Sequence, residues 1–228
     1  MISHFLGDYH FQSEALSQAK GDNFLSLAKH LAIHGLLLLM AWLFTWQLDL
    51  LPLFLTVWIS HIIIDLFKVT IQRKWVFNGK VQAYVYLTDQ ILHISSIMIL
   101  SYLLVPRIDQ ITLFVPIYIL KWILLSVLIT KPANITFKVL FNQYQNYSGN
   151  ESETVTVPGA GAMIGNLERI LSAIFLSLNA LSSIGLIYTA KSIARFKLIE
   201  ENQGFAEYYL IGTLFSILFV VISYFIIF

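Results

Sequence analysis

Six long apolar runs restrict what this chain can fold into more than any other feature of its sequence. They cover approximately residues 30–48, 52–68, 88–105, 111–130, 167–190 and 206–228. A helix needs roughly 20 apolar residues in succession to cross the hydrocarbon core of a bilayer. A membrane β-barrel would instead show alternating apolar and polar residues, whereas these runs are continuously apolar. The runs therefore predict an all-α fold, a polytopic transmembrane helical bundle with about six spans.

The composition agrees with a membrane protein and excludes several kinds of site. The chain is 57% hydrophobic and 12% charged, and soluble domains carry about 25% charged residues. It has no cysteine, which excludes disulfides, thiolate metal sites and a cysteine nucleophile. Residues 1–20 are too short and too polar to span, so we expect an interfacial or re-entrant segment there. We expect membrane lipid as a partner, and no nucleic acid.

The runs divide the chain into three regions. Residues 1–130 form an N-terminal membrane region, 131–165 a polar loop, and 166–228 a C-terminal two-helix membrane region. Basic residues concentrate in cytoplasmic loops, and the connection after the second run contains four of them: Lys68, Arg73, Lys74 and Lys80. The N-terminus and the polar loop are then also cytoplasmic. The basic segment 191–197 would lie outside against this rule, so its orientation stays open.

Histidine and aspartate recur in and near these runs with a spacing of four residues. The four pairs are His4 with Asp8, His30 with His34, His61 with Asp65, and Asp89 with His93. Residues four apart lie on one face of a helix, and ionisable groups inside a membrane usually mark functional sites. Under the topology above, three spans bring such pairs to the cytoplasmic membrane face.

Metal binding is the chemistry that suits this arrangement. The candidate ligands are His4, Asp8, His34, His61, Asp65, Asp89 and His93. Imidazole nitrogen with carboxylate oxygen favours a divalent zinc, manganese or iron ion over copper(I). The ligands outnumber those of one tetrahedral ion, which leaves open a dinuclear site or carboxylates that orient the imidazoles. We expect His30 to be exposed, because it follows Lys29 at a helix start, and His10 to be interfacial.

Three functions are compatible with such a cluster. A bound cation could activate water, which predicts a metal-dependent hydrolase of a lipid-linked or phosphorylated substrate. Alternatively, a transporter or channel would pass protons or cations through the cluster. In a non-catalytic membrane interaction or regulatory subunit, the polar groups would only form hydrogen bonds between helices.

Two further groups of residues lie towards the C-terminus. Gly165, Glu168 and Arg169 follow a glycine-rich stretch at the start of an apolar run, where backbone amides could contact a phosphate or substrate. Alternatively, the stretch is a flexible helix entry, with Glu168 complementing the helix dipole and Arg169 reaching lipid headgroups. We also expect structural ion pairs of Lys191 and Arg195 with Glu207.

The order of several short motifs carries a family resemblance. HFLGDYHFQ is followed by a histidine opening an apolar span, then SHIIIDLFK and LTDQILH, and later by GAMIGNLERILSAIF and TAKSIARFKLIEENQGFAEYYLIGTLFS. This order resembles the DUF3307 family. The resemblance implies a multi-pass protein of the bacterial inner, or cytoplasmic, membrane and no particular activity. It also implies a polar pattern centred on Asp8, Gln12, His34, His61, Asp65, Asp89, Gln90 and His93.

Overall fold

Helices account for all regular secondary structure in the part of the chain that the structure describes. The computed structural model describes residues 1–13, 16, 23–75, 79–105, 111, 113–145, 157 and 159–228. Twelve of the 35 residues of the expected polar loop, 146–156 and 158, lie outside these described residues. Its first part, Lys131–Gln145, is helical rather than a loop. The expectation of an all-α fold is confirmed.

The described α-helices range from 4 to 26 residues in length. A one-turn helix α1 (Ile2–Phe5) continues as a π-helical turn (Leu6–His10), and a 3-10 turn (Leu48–Leu50) leads into the third helix. The remaining helices are α2 (Phe24–Thr45), α3 (Leu51–Lys74), α4 (Gly79–Leu104), α5 (Ile117–Ile129), α6 (Lys131–Gln145), α7 (Ala160–Ser177), α8 (Leu181–Ala194), α9 (Phe196–Glu201) and α10 (Gln203–Ile227).

Five helical stretches are long and apolar enough to cross a membrane. They are Phe24–Thr45, Leu48–Lys74, Gly79–Leu104, Ile117–Tyr144 and Gln203–Ile227. The remaining expected span, 167–190, is not one continuous helix. It is divided between α7 and α8 by a turn in which Asn179 adopts the left-handed conformation, with φ of 54°. Asparagine tolerates this conformation better than most residues, so the expectation of a single span there was wrong.

Local signals in the sequence explain where the long helices begin and end. The Asn23 side chain accepts a hydrogen bond from the backbone of Leu25 and caps the start of α2. The helix ends at Trp46, which is left-handed with φ of 48°. Pro52 lies in the first turn of α3, where its missing N–H costs no helical hydrogen bond. Asn202 caps α10 in the same way as Asn23 caps α2.

The distribution of side chains is the reverse of that in a soluble protein. Phe44, Ile63 and Phe67 on the long helices are each about 61% or 62% exposed, while His30 and Asp65 on the same helices are buried. Apolar side chains on the outside and ionisable side chains on the inside are what a lipid environment favours. This agrees with the apolar composition of the five long helices.

The chain forms two compact units, residues 1–120 and 121–228. In the first unit, Phe5 and Tyr9 of the N-terminal segment (residues 2–10) are buried, and the Tyr9 hydroxyl forms a 2.7 Å hydrogen bond with the Tyr86 hydroxyl of α4. The second unit has its own apolar core of Leu125, Ile129, Ala173, Leu176, Ile184, Tyr188 and Val220.

Candidate metal centre

Five of the six histidines in the chain converge inside the first unit. Helices α2, α3 and α4 and the N-terminal segment each contribute one of the pairs spaced by four residues. The ring centroids of His34 and His61 are 3.7 Å apart, and those of His61 and His93 are 4.5 Å apart. His4 stacks on His93 at 5.0 Å, and His30 lies 4.7 Å from His34. All five side chains are buried.

The histidines and three aspartates form three overlapping groups of potential metal ligands. In each group, one ligand atom from every residue lies within 4.8 Å of the others. The groups are His4–Asp8–His34–His61, His30–His61–Asp65 and Asp65–Asp89–His93. Because His61 and Asp65 each belong to two groups, the arrangement can hold one ion or two neighbouring ions. We refer to these eight residues as the His/Asp cluster.

Hydrogen bonds fix which ring nitrogens can bind a cation. His93 Nδ1 lies 2.9 Å from the carbonyl oxygen of Asp89, so Nδ1 carries the proton and Nε2 carries the lone pair. That Nε2 is buried and has no hydrogen-bond partner among the described residues, and the same holds for His61 Nε2 and His4 Nδ1. Buried polar atoms normally have a partner. The lone pair of His93 Nε2 therefore fits a metal ion, and an ion would also give His61 Nε2 and His4 Nδ1 the partner that they lack.

The carboxylates hold several of these rings in place. Asp8 Oδ1 lies 2.8 Å from His34 Nε2, and Asp65 Oδ2 lies 2.9 Å from His30 Nε2. The amide of Gln90 donates to Asp8 Oδ2 at 3.3 Å and to Asp89 Oδ2 at 3.2 Å. Carboxylates that orient imidazoles in this way are common around metal ions and raise the basicity of the ligands.

The charges of the cluster do not cancel when its histidines are neutral. Lys68 donates to Asp89 Oδ2 at 2.6 Å and neutralises one of the three carboxylates. Three carboxylates against one ammonium group leave a net charge of −2. Burial lowers the pKa of His4 to about 4, so this ring is neutral at pH 7. Burial alone would raise the pKa of Asp8, but His4 and His34 outweigh it and hold that pKa well below its ordinary value.

A small cavity of about 20 Å³ lies beside the imidazoles. His4, His34, His61 and His93 line it together with apolar and hydroxyl side chains. A cavity of roughly 10–15 Å³ suffices for one water molecule. The space therefore accommodates a water molecule or a single coordinated atom, but no organic substrate.

Comparison with known sequences places the chain in a family. The family model described as "Protein of unknown function (DUF3307)" matches residues 1–131, more than half of the chain. The chain belongs to the DUF3307 family. Neither the curated proteins nor the solved structures contain a match to it.

The DUF3307 match contains the entire His/Asp cluster and ends before the C-terminal motifs. All eight cluster residues lie within residues 1–131, as do Lys68 and Gln90. The motifs GAMIGNLERILSAIF and TAKSIARFKLIEENQGFAEYYLIGTLFS lie beyond it. The family assignment therefore applies to the unit that carries the cluster.

The structure brings together every residue of this DUF3307 chain that was predicted as a metal ligand, and it adds His30 to them. His30 is fully buried rather than exposed, because Asp8 and Asp65 approach its Nε2 to 3.5 Å and 2.9 Å. Lys68, expected only as a charge of a cytoplasmic connection, instead pairs with Asp89 of the cluster. His10 belongs to none of the three ligand groups.

Gly7 is a further residue of the site that was not among the expected ones. A Cβ atom at this position would lie 2.4 Å from His34 Nε2, so only glycine leaves room for the ring. A glycine three residues after His4 and next to Asp8 was visible in the sequence. Its role depends on the approach of α2, which local spacing does not show.

The C-terminal candidates of the DUF3307 chain have different neighbours from those expected. Arg169 is 3% exposed, so it does not reach for headgroups at the surface. Lys191 pairs with Glu168 at 2.7 Å instead of with Glu207, because the turn after α7 folds α8 back beside it. Glu207 accepts a hydrogen bond from Gln203. Gly165 lies against the Arg169 side chain, where a Cβ would be 3.2 Å from Nη1.

Proposed function

We propose that the His/Asp cluster binds a divalent metal ion (zinc, manganese or iron) at the cytoplasmic membrane face and serves a metal-dependent hydrolase. The substrate would be lipid-linked or phosphorylated. The observation that carries the proposal is the convergence of buried imidazole nitrogens without hydrogen-bond partners, His4 Nδ1, His61 Nε2 and His93 Nε2, among three carboxylates.

The charge of the cluster supports a divalent cation. A net charge of −2 buried among apolar helices is costly unless it is compensated. One divalent ion compensates it fully. Two protons on the histidines would do the same, but they would bring positively charged rings into contact at centroid distances of 3.7–5.0 Å. A single cation shared by neutral rings avoids that repulsion.

The second feature that supports hydrolysis is the small cavity beside the imidazoles. A divalent ion held there would supply a Lewis acid that lowers the pKa of water. The chain's own residues would position the ligands. Asp8 orients the His34 ring, and the backbone carbonyl of Asp89 fixes the tautomer of His93. Lys68 neutralises the Asp89 carboxylate. Because the cavity holds only a water-sized group, a substrate would have to bind beside it rather than within it.

Hydrolysis of reporter phosphate esters tests this activity. We expect the full-length protein in detergent, loaded with zinc, manganese or iron, to release 4-nitrophenolate from bis(4-nitrophenyl) phosphate or 4-nitrophenyl phosphate. His61→Ala should reduce the rate at least 100-fold, since it removes a residue shared by two ligand groups. His10→Ala, which changes a histidine outside the three groups, should retain the rate. Equal rates for wild type and His61→Ala would contradict the hydrolase.

A further inference from the structure

The second unit contains a cavity of about 530 Å³, far larger than the one beside the histidines. Helices α6, α7, α8 and α10 contribute its walls. One part of the lining is cationic, and another is apolar and aromatic. Cavities of roughly 300–1,000 Å³ are typical of sites for small organic ligands.

Arg169 of α7 lies in this lining and is almost fully buried. Its Nε donates to the carbonyl of Ile129, Nη1 to Ser216 Oγ at 3.2 Å, and Nη2 to Asn166 Oδ1 at 2.9 Å and to Asn134 Oδ1. All four acceptors are neutral. A guanidinium group has five N–H donors, so one donor of Nη1 is not accounted for. No carboxylate of the described residues lies within ion-pair distance of this group.

The rest of the lining adds positive charge. The Lys191 ammonium is paired with Glu168 at 2.7 Å, so these two charges cancel. Lys138 and Arg195 also line the cavity, and Glu168 is the only carboxylate among its described lining residues. The lining therefore has an excess of three positive charges. A buried arginine with only neutral acceptors, in a cavity of this charge, is suited to an oxyanion.

Aromatic and aliphatic side chains complete the cavity. Phe137, Ile164 and Phe205 form apolar parts of the lining. Gly161 also lines it, and a Cβ added there would meet no atom within 4 Å. A phosphate ion alone would leave most of a 530 Å³ cavity unfilled and its apolar walls unused. The walls and the charges together suit a ligand that has both an anionic head and an apolar body.

We propose that this cavity binds an amphiphile with a phosphate head group, with the phosphate at Arg169 and Arg195 and the apolar body along Phe137 and Phe205. A phosphomonoester fits better than a carboxylate because its charge approaches −2 at neutral pH, closer to the excess of positive charge. The site uses no residue of the His/Asp cluster, and it stands whether or not that cluster binds metal. The phosphate belongs either to a membrane lipid or to a free phosphate ester.

Native mass spectrometry of the full-length protein in dodecyl maltoside tests this site. The probes are dioleoylphosphatidic acid, dioleoylphosphatidylcholine with the same tails but a choline-capped phosphate, and inorganic phosphate. We expect one phosphatidic acid per protein, at a concentration at least tenfold below that needed for phosphatidylcholine. Arg195→Gln should weaken that binding at least fivefold.

Two glycine variants separate occupation of the cavity from general effects on folding. Gly161→Leu places a side chain in the open space of the cavity and should weaken phosphatidic acid binding at least tenfold. Gly185→Leu is the matched control, because Gly185 is exposed on α8, lies outside the cavity lining and has no atom within 4 Å of an added Cβ. It should bind as wild type does.

The remaining outcomes decide between the two sources of phosphate or reject the site. If inorganic phosphate raises the melting temperature of wild type but not of Arg195→Gln, and phosphatidic acid shows no preference over phosphatidylcholine, the ligand is a free phosphate compound. If neither phosphatidic acid nor inorganic phosphate binds, or if Gly161→Leu binds phosphatidic acid as tightly as wild type, the proposal is overturned.

Discussion

Gly7 is the residue whose size most directly controls the geometry of the His/Asp cluster. A methyl group at this position would lie 2.4–2.8 Å from three atoms of the His34 ring. The ring cannot swing away easily, because it is buried and lies 2.8 Å from Asp8. Gly7→Ala should therefore destabilise the protein by about 1–3 kcal/mol, as overpacking does, and should reduce its metal content.

Gly79→Ala is the matched control, since nothing lies within 4 Å of an added Cβ there. Thermal unfolding measures the first effect, and equal melting temperatures for the two variants would contradict this account of Gly7.

Individual ligands could be predicted from the sequence where the signal is local. The spacing of His61 and Asp65 places both side chains on one face of any helix. Because the run around them is apolar, two ionisable side chains within it indicate a functional site. His30 shows the limit of such reasoning. Its sequence neighbour Lys29 suggests exposure, but Asp8 of the N-terminal segment covers the histidine. That contact joins residues that are 22 positions apart, and no local pattern encodes it.

At the scale of elements, the turn between α7 and α8 determines the surroundings of Arg169 and Lys191. Asn179 in this turn has φ of 54°, and the turn lets Lys191 return to Glu168. The turn could not be predicted from the sequence, because the residues on both sides of Asn179 are apolar enough to form one span. The expected ion pair of Lys191 with Glu207 rested on their proximity in the sequence, whereas in the fold Lys191 pairs with Glu168.

Substitution of Asn179 tests the importance of this turn. A β-branched residue is disfavoured in the left-handed conformation by roughly 1–2 kcal/mol, whereas glycine adopts it freely. We expect Asn179→Val to lower the free energy of unfolding by about that amount and Asn179→Gly to leave it nearly unchanged. Unfolding of the purified protein in detergent by heat measures both. Equal stability of the two variants would show that the chain does not need this conformation.

At the scale of the whole molecule, each of the two compact units contains a polar site of its own. The His/Asp cluster belongs to the unit that matches the DUF3307 family, and the arginine-lined cavity to the other. Long apolar helices and paired ligands were predictable because both are repeated local patterns. The arginine-lined cavity was not, since it depends on how four helices of the second unit pack together.

Proton release tests the charge balance of the cluster. With neutral histidines and ionised carboxylates the metal-free cluster has no proton to lose, so a divalent ion should bind near pH 7 with release of less than about one proton. Titration calorimetry with zinc in two buffers of different ionisation enthalpy, at the same pH near 7, measures this number. Binding should also weaken as the pH falls, because protons compete for the imidazoles. Release of about two protons per bound ion would contradict the charge assignment.

Metal content of the purified protein tests the central claim most directly. Full-length wild type and His10→Ala, purified without chelators and measured by inductively coupled plasma mass spectrometry, should each retain about one or two zinc, manganese or iron ions per chain. The double variant His61→Ala/Asp65→Ala should retain less than a tenth of that amount, because each of the three ligand groups loses at least one member. A stable, folded wild type that carries no more metal than the double variant would contradict the account.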